Sequence, residues 1–446
     1  MLRRVVGVAA AVVTAVLVVG VVLAAVGDPE SGAADSEQRA ADRESSEASP
    51  GRDSAEADGD VSSERVAGGH DGAASDPEHQ TSGGDATEVA DGGVLVMWAR
   101  GGLPPEIADR AMELPAVEAA AFVRSDTLGL VGSRDADGRA MDELADGFRI
   151  PVGVSAVDPA TYAATTGWEE LVPLVAALGP GEVLLTERAA GLRGIGVGGE
   201  LDLGDRAGLR VAGVLPEGVL RRSEILAHVA DADELGIPAG GSLVVRHSAA
   251  PGEETEALAD GLEALAPGDA PARVVGSGRD DGRHDAPLVL SLLELKERFG
   301  EFAYRPRPGM REIDVDPAFL AEHIVAVSVP VLGTVRCHAG IVDDLRAALV
   351  EIVEAGLAEH LNPARYGGCF HPRRISADRD RLSSHAWGVA IDINVDLSMP
   401  GLGPVPPDEM IEIFGRHGFR WGGDFIQPDN HHYEWVGPAA AHRPGR

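Results

Sequence analysis

Residues 5–26 form an apolar run with Thr14 as its single polar side chain, and Arg3 and Arg4 stand directly before it. Wound as a helix, a run of this length rises about 33 Å at ~1.5 Å per residue, enough to cross the ~30 Å hydrocarbon core of a bilayer. It exceeds the roughly 7–15 apolar residues of a cleavable signal peptide. Residues 1–27 are therefore expected to be a transmembrane signal anchor, with a cleaved and secreted form as the alternative. Arginines before the span hold the N-terminus inside and place everything downstream outside the cytoplasm. No cysteine follows the run, which excludes a lipoprotein anchor.

Residues 28–92 are rich in Asp, Glu, Ser, Gly and Ala, and Arg39, Arg43, Arg52 and Arg65 are their only arginines. Such a stretch cannot bury enough apolar surface to offset its ordering entropy, so it is expected to be a disordered acidic linker extended by self-repulsion. The whole chain carries a formal charge of -34. That balance argues against nucleic acid and against anionic membrane surfaces as partners. The two cysteines, Cys337 and Cys369, cannot make a four-cysteine zinc site. In an exported protein they are expected to pair as a disulfide, worth about 3–4 kcal/mol by loop closure.

Residues 93–280 alternate short strand and helix patterns and read as a mixed α/β middle domain. Val94–Trp98, Glu182–Glu187 and Leu209–Leu215 have strand character, while Pro105–Leu114 and Glu169–Leu178 have helix character. Gly194-Ile-Gly-Val-Gly-Gly199 matches GxGxxG literally, but strand-like Glu200–Leu203 follows it where a dinucleotide fingerprint needs a helix. We read it as a glycine turn between strands. The stretch Leu178–Ala190 with Gly194–Gly198 and Leu201–Leu203 resembles the extracytoplasmic domain of ABC-type permeases of the lipoprotein-release and macrolide-export kind. That resemblance implies a partner-binding or regulatory module without catalysis.

Residues 281–446 carry the chemistry. A charged linker over 281–287 leads into an amphipathic helix, Leu288–Phe302, and a second helix is expected from about Asp343 to Glu359. Val389, Ile391, Ile393 and Val395 alternate with Ala390, Asp392 and Asn394, a period of two that predicts a strand. Asp392 then sits mid-strand beside a small residue, and His385 lies on the turn that enters it. Further on, His431, Tyr433 and Trp435 share one face, and His432 and Glu434 the other. If the aromatic face packs inward, His432 meets His385 and Asp392. Two imidazoles and a carboxylate suit a catalytic zinc ion with a fourth position left for water. Asp429, three residues before His432, is placed to act as general base.

The pattern Ser383-x-His385-x-x-Gly388-x-Ala390-x-Asp392, with Asp429-x-x-His432-Tyr433 after it, resembles the D-alanyl-D-alanine carboxypeptidase family of zinc peptidases, which includes L-alanyl-D-glutamate endolysins. The resemblance covers about 290–438. It implies an α+β domain with a small antiparallel sheet, Zn2+ held by His385, Asp392 and His432, Asp429 as base, and peptidoglycan stem peptides as substrate. It also implies an upstream arginine for the oxyanion, for which Arg373 is preferred and Arg374 is the runner-up. Gly418-Phe-Arg-Trp-Gly-Gly423 matches a cleft-shaping turn of the same family. An aspartate at the base position tilts the reading from D,D-carboxypeptidase towards L-alanyl-D-glutamate cleavage. A penicillin-binding type of serine peptidase is excluded, because it needs Ser-x-x-Lys and Lys296, the only lysine, follows Leu293. A rival of another class is a wall-peptide sensor or scaffold at the membrane without catalysis.

Overall fold

The computed structural model describes residues 93–99, 101–220, 223–268, 272–276, 289–375, 379–396, 403–425 and 428–437, all within one compact unit. The expected anchor (1–27) and acidic linker (28–92) lie outside the described residues. Among those described, no helix is long and apolar enough to cross a membrane.

The middle region is built on ten strands: β1 Gly93–Ala99, β2 Val117–Arg134, β3 Ala140–Glu143, β4 Ile150–Val157, β5 Glu182–Thr186, β6 Glu200–Leu203, β7 Arg206–Leu215, β8 Ile225–His228, β9 Ser242–His247 and β10 Ala272–Gly276. They form one sheet in the order β10-β1-β9-β2-β4-β8-β5-β7-β6, with β3 off this path and paired to β2. The long strand β2 pairs with β9 near its start and with both β4 and β6 further on. The β2–β6 pairing closes β2-β4-β8-β5-β7-β6 into a ring, which removes two sheet edges. Strand β4, Ile-Pro-Val-Gly-Val-Ser-Ala-Val, is buried at every position, as expected for a strand covered on both faces.

The helices are shorter than the periodicity suggests. The Pro105–Leu114 pattern yields α1, Ile107–Ala111, and Pro159–Thr165 forms α2. Glu169–Leu178 splits into a 3-10 turn, Glu169–Leu171, and α3, Val172–Ala176. Strand β5 ends at Thr186, whose hydroxyl accepts from the Ala189 amide and caps α4, Glu187–Arg193. Gly194 ends α4 in the left-handed conformation (φ 64°), and β6 opens at Glu200. The GxGxxG match is therefore a helix-to-strand turn, rather than the strand-to-strand turn expected. Helix α5, Glu253–Glu263, packs Leu258, Ala259 and Leu262 inward.

The C-terminal region opens with α6, Leu292–Phe299, whose start is fixed by a reciprocal capping box between Ser291 and Glu294. The Leu288–Phe302 pattern is trimmed to this core because Gly300 (φ 85°) leaves helical space. The hairpin β11 Tyr304–Pro306 and β12 Ile313–Val315 follows, then α7 Pro317–His323, then the hairpin β13 Ile324–Val329 and β14 Gly333–His338. Helix α8 spans Val342–Glu354 rather than reaching Glu359, since Gly356 turns left-handed (φ 77°) just beyond it. Strand β15 Ala390–Asp392, α9 Asp408–Arg416, β16 Phe419–Trp421 and β17 His432–Trp435 complete it. The order β15-β17-β16 is the small antiparallel sheet expected. Tyr433 of β17 stacks on Phe414 of α9 at 4.3 Å between ring centres, which seats the sheet on that helix. Cys337 and Cys369 form the expected disulfide, tying the end of β14 to the loop before the turn of His385.

The two regions meet through a buried ionic cluster. Lys296 on α6 is fully buried and donates to both carboxylate oxygens of Glu224 in the middle region (3.0 and 2.8 Å) and lies 3.1 Å from Glu301. Glu301 also pairs with Arg193, which reaches Asp142 at 3.0 Å. Burial depresses the Lys296 pKa, with Glu224 pulling against it. Beside this cluster, Arg149 and Tyr304 exchange backbone hydrogen bonds (2.8 and 2.9 Å), joining the start of β4 to β11.

Candidate metal centre

Ser383 caps a single 3-10 turn, Ser384–Ala386, that carries His385. Trp387 drives this turn into the core: its ring packs on Phe302 and its indole N–H donates to the Gly300 carbonyl (3.1 Å). Gly388 is left-handed (φ 70°), and a Cβ there would stand 2.8 Å from the His338 backbone nitrogen. Only glycine lets the motif turn this closely under β14. Asp392 closes β15 and faces His432 at the start of β17 in register. The expected strand to Val395 stops there, because Asn394 is left-handed (φ 59°). Its amide is spent on the backbone, accepting from Asn362 N and donating to His360 O, so it does not join Asp392.

His385, Asp392 and His432 come together as a buried group that could hold a metal ion. His385 Nε2 lies 3.2 Å from Asp392 Oδ1 and 3.3 Å from His432 Nδ1, and His432 Nδ1 lies 3.0 Å from Asp392 Oδ1. A tetrahedral ion with bonds of roughly 2.0–2.1 Å would separate neighbouring donors by about 3.3 Å. The tautomers fit as well. His385 Nδ1 sits 2.8 Å from the Cys369 carbonyl, which can only accept, so Nε2 presents a lone pair to Asp392. Two acceptors facing each other at that distance call for a cation between them. His432 Nε2 points to Glu434 Oε2 at 3.4 Å, leaving Nδ1 for the centre. Glu434 Oε2 also accepts from Ser384 Oγ (3.0 Å).

The electrostatics follow from this geometry. Burial pushes the His385 pKa down, with Asp392 opposing. Burial would do the same to His432, but hydrogen bonds to Asp392 and Glu434 outweigh it and lift the ring to about 10. Asp392 is held well below the usual carboxylate range by His385 and His432, against the penalty of its own burial.

Arg373 lies at the edge, with Nη2 3.8 Å from Asp392 Oδ2 and Nη1 donating to His371 Nδ1 (2.7 Å). His371 is neutral under these conditions: burial and the adjacent guanidinium bring its pKa to about 4. Arg374 points away and is buried, donating to the Met310 carbonyl (2.7 Å). Asp429 is one turn before His432, whose amide donates to the Asp429 carbonyl (3.2 Å). Its carboxylate, about a third exposed, pairs with His431 Nε2 at 3.1 Å and is not one of the three clustered donors. Gly422 of the glycine-tryptophan turn permits this packing, because a Cβ there would stand 2.7 Å from the Asp429 carbonyl.

Sequence reading had assigned no role to Glu434, Ser384 or His371. Two of the three carried a signal: Glu434 is two residues from His432 on the same strand face, and His371 is two residues from Arg373.

Comparison with known proteins finds a family match in the C-terminal region and similar solved structures. The peptidase family described as D-alanyl-D-alanine carboxypeptidase matches residues 377–435, a stretch that holds His385, Asp392, Asp429 and His432. No curated protein matches the chain. Similar solved structures include the periplasmic region of MacB from Actinobacillus actinomycetemcomitans, at 14% identity and TM-score 0.29, covering 41% of this chain and 88% of that one. The extracellular domain of the noncanonic ABC-type transporter YknZ from Gram-positive bacteria aligns at 10% identity and TM-score 0.29, covering 41% and 99%. A domain of a permease protein from Porphyromonas gingivalis aligns at 15% identity and TM-score 0.27, covering 45% and 94%.

Proposed function

We propose that the C-terminal region is a zinc peptidase acting outside the cytoplasm on the stem peptides of peptidoglycan, tethered to the membrane by residues 1–27. The observation that carries this reading is the convergence of His385 Nε2, Asp392 Oδ1 and His432 Nδ1 at tetrahedral spacing, with both imidazole tautomers set by outer partners. The match over residues 377–435 supports the peptidase class.

His385, Asp392 and His432 would hold the zinc ion, which when bound supplies Lewis-acid activation of water. Asp429 takes the proton from the attacking water and returns it to the leaving amine. Arg373 faces the charge that develops on the scissile carbonyl oxygen. Arg374, committed to the Met310 carbonyl, is not available for that task. The aspartate base favours cleavage after L-alanine over removal of a terminal D-alanine.

The test is digestion of muropeptides by the exported chain with zinc and with chelator, read by mass. A zinc-dependent product supports the proposal, and its mass identifies the bond. Tight zinc binding with no product from any muropeptide would overturn it in favour of a wall-peptide sensor.

A further inference from the structure

Arg373, at the edge of the candidate centre, and the turn that carries His385 are linked through the two paired stems on either side of residues 376–378. On the first stem Arg373 bridges to Glu312, and the Arg374 amide donates to the Arg311 carbonyl (2.7 Å). On the second, Leu382 pairs with Arg374, and Ser383 donates its amide to the Arg373 carbonyl (3.0 Å) before capping the turn of His385. Ile375 donates to the Arg381 carbonyl at 2.8 Å, extending the hairpin towards its tip. Past residues 376–378, which lie outside the described residues, the middle region holds Arg379 and Asp380 as they lead into the second stem. Arg379 pairs with Asp126 of β2 at 2.7 Å, and Asp380 pairs with Arg149 at 3.0 Å. The carboxylates of Asp126 and Asp380 are largely buried, at 10% and 16% exposed, so neither pair is a fully solvated surface contact. Space for the Arg149 side chain exists only because residue 129 is glycine; a Cβ there would stand 2.3 Å from Arg149 Cδ. Tyr304, which shares backbone hydrogen bonds with Arg149, places its hydroxyl 3.4 Å from the Asp380 carbonyl.

We propose that the middle region is a positioning element of the candidate centre: Asp126 and Arg149 hold Arg379 and Asp380, which lead into the 381–383 stem, and so set the placement of Arg373 relative to His385. This rests on the peptidase reading for its effect on turnover, but not for its effect on the hairpin. Both acidic and basic clamps act through the hairpin and touch neither metal nor substrate.

The experiment uses the exported chain with D126N, R149M and R379M, and with the swapped pair D126R/R379D. Three quantities are read: amide hydrogen exchange of Ile375 and Ser383, bound zinc, and the separate values of kcat and KM on a muropeptide. Each single variant is expected to speed exchange at those two amides about tenfold. It should also lower kcat by roughly ten- to a hundredfold with KM and zinc content little changed, as misplacement of a catalytic group does. The swapped pair should restore both exchange protection and kcat. Unchanged exchange and kcat in all single variants would overturn the proposal, as would losses that always track lost zinc. If the wild-type chain cleaves nothing yet the same amides loosen in the variants, the hairpin clamp stands and the peptidase reading falls.

Discussion

At the residue scale, chemistry is divided between groups that touch the metal position and groups that orient them. Glu434 is of the second kind, since it fixes His432 through Nε2. Glu434→Gln is expected to weaken zinc affinity about 10–100-fold, measured by competition with a chromogenic chelator. Asp429→Asn should keep zinc but lower kcat by about 10²–10⁴-fold, read in the muropeptide assay. A third prediction concerns pH. His338 accepts from the Gly340 amide through Nδ1 and lies 3.0 Å from the Phe299 carbonyl through Nε2, so it is neutral in the fold. Burial brings its pKa to about 4, with the Phe299 bond and neighbouring His323 as lesser influences. The unfolded chain protonates this ring near its ordinary value of about 6.5, so it binds the proton first as pH falls. Stability is thus full above about 6.5 and declines towards 4. His338→Gln should be less stable at neutral pH yet lose less between pH 7 and 4.5 in urea titrations. Parallel curves would refute the assignment. The grouping of His385, Asp392 and His432 is legible in sequence because their types and spacings are local properties of two short segments. Ser384 is not, because it gains its role only when the segment bearing Glu434, far along the chain, folds against it.

At the element scale, the period-two signal of Val389–Val395 located β15 but not its end. Burial alternation cannot report the left-handed turn at Asn394, which is set by its hydrogen bonds to Asn362 and His360. Helices α6 and α8 were likewise overextended, since glycine breaks at Gly300 and Gly356 override the apolar pattern. The Cys337–Cys369 disulfide links elements 32 residues apart, and Cys369 supplies the carbonyl that orients His385. Replacing both cysteines by serine should cost about 3–4 kcal/mol of stability in the chain-entropy account. Zinc affinity should fall with it, because the His385 anchor loses its tether. Guanidinium unfolding and zinc titration of the same variant measure the two effects.

At the scale of the whole molecule, the docking of the middle region on the C-terminal region is not readable from the chain. Its ion pairs join residues far apart, such as Lys296 with Glu224 and Arg379 with Asp126, and no local pattern encodes such partners. Lys296→Met leaves Glu224 and Glu301 without their shared cation. A loss of about 3–5 kcal/mol is expected, with partial recovery on adding Glu224→Gln, measured by urea unfolding. The same lysine makes the molecule its own reporter. Because it is the sole lysine and fully buried, amine acylation of the native fold finds no lysine side chain in reach. The rate at which a labelling reagent marks Lys296 then clocks how often the two regions part.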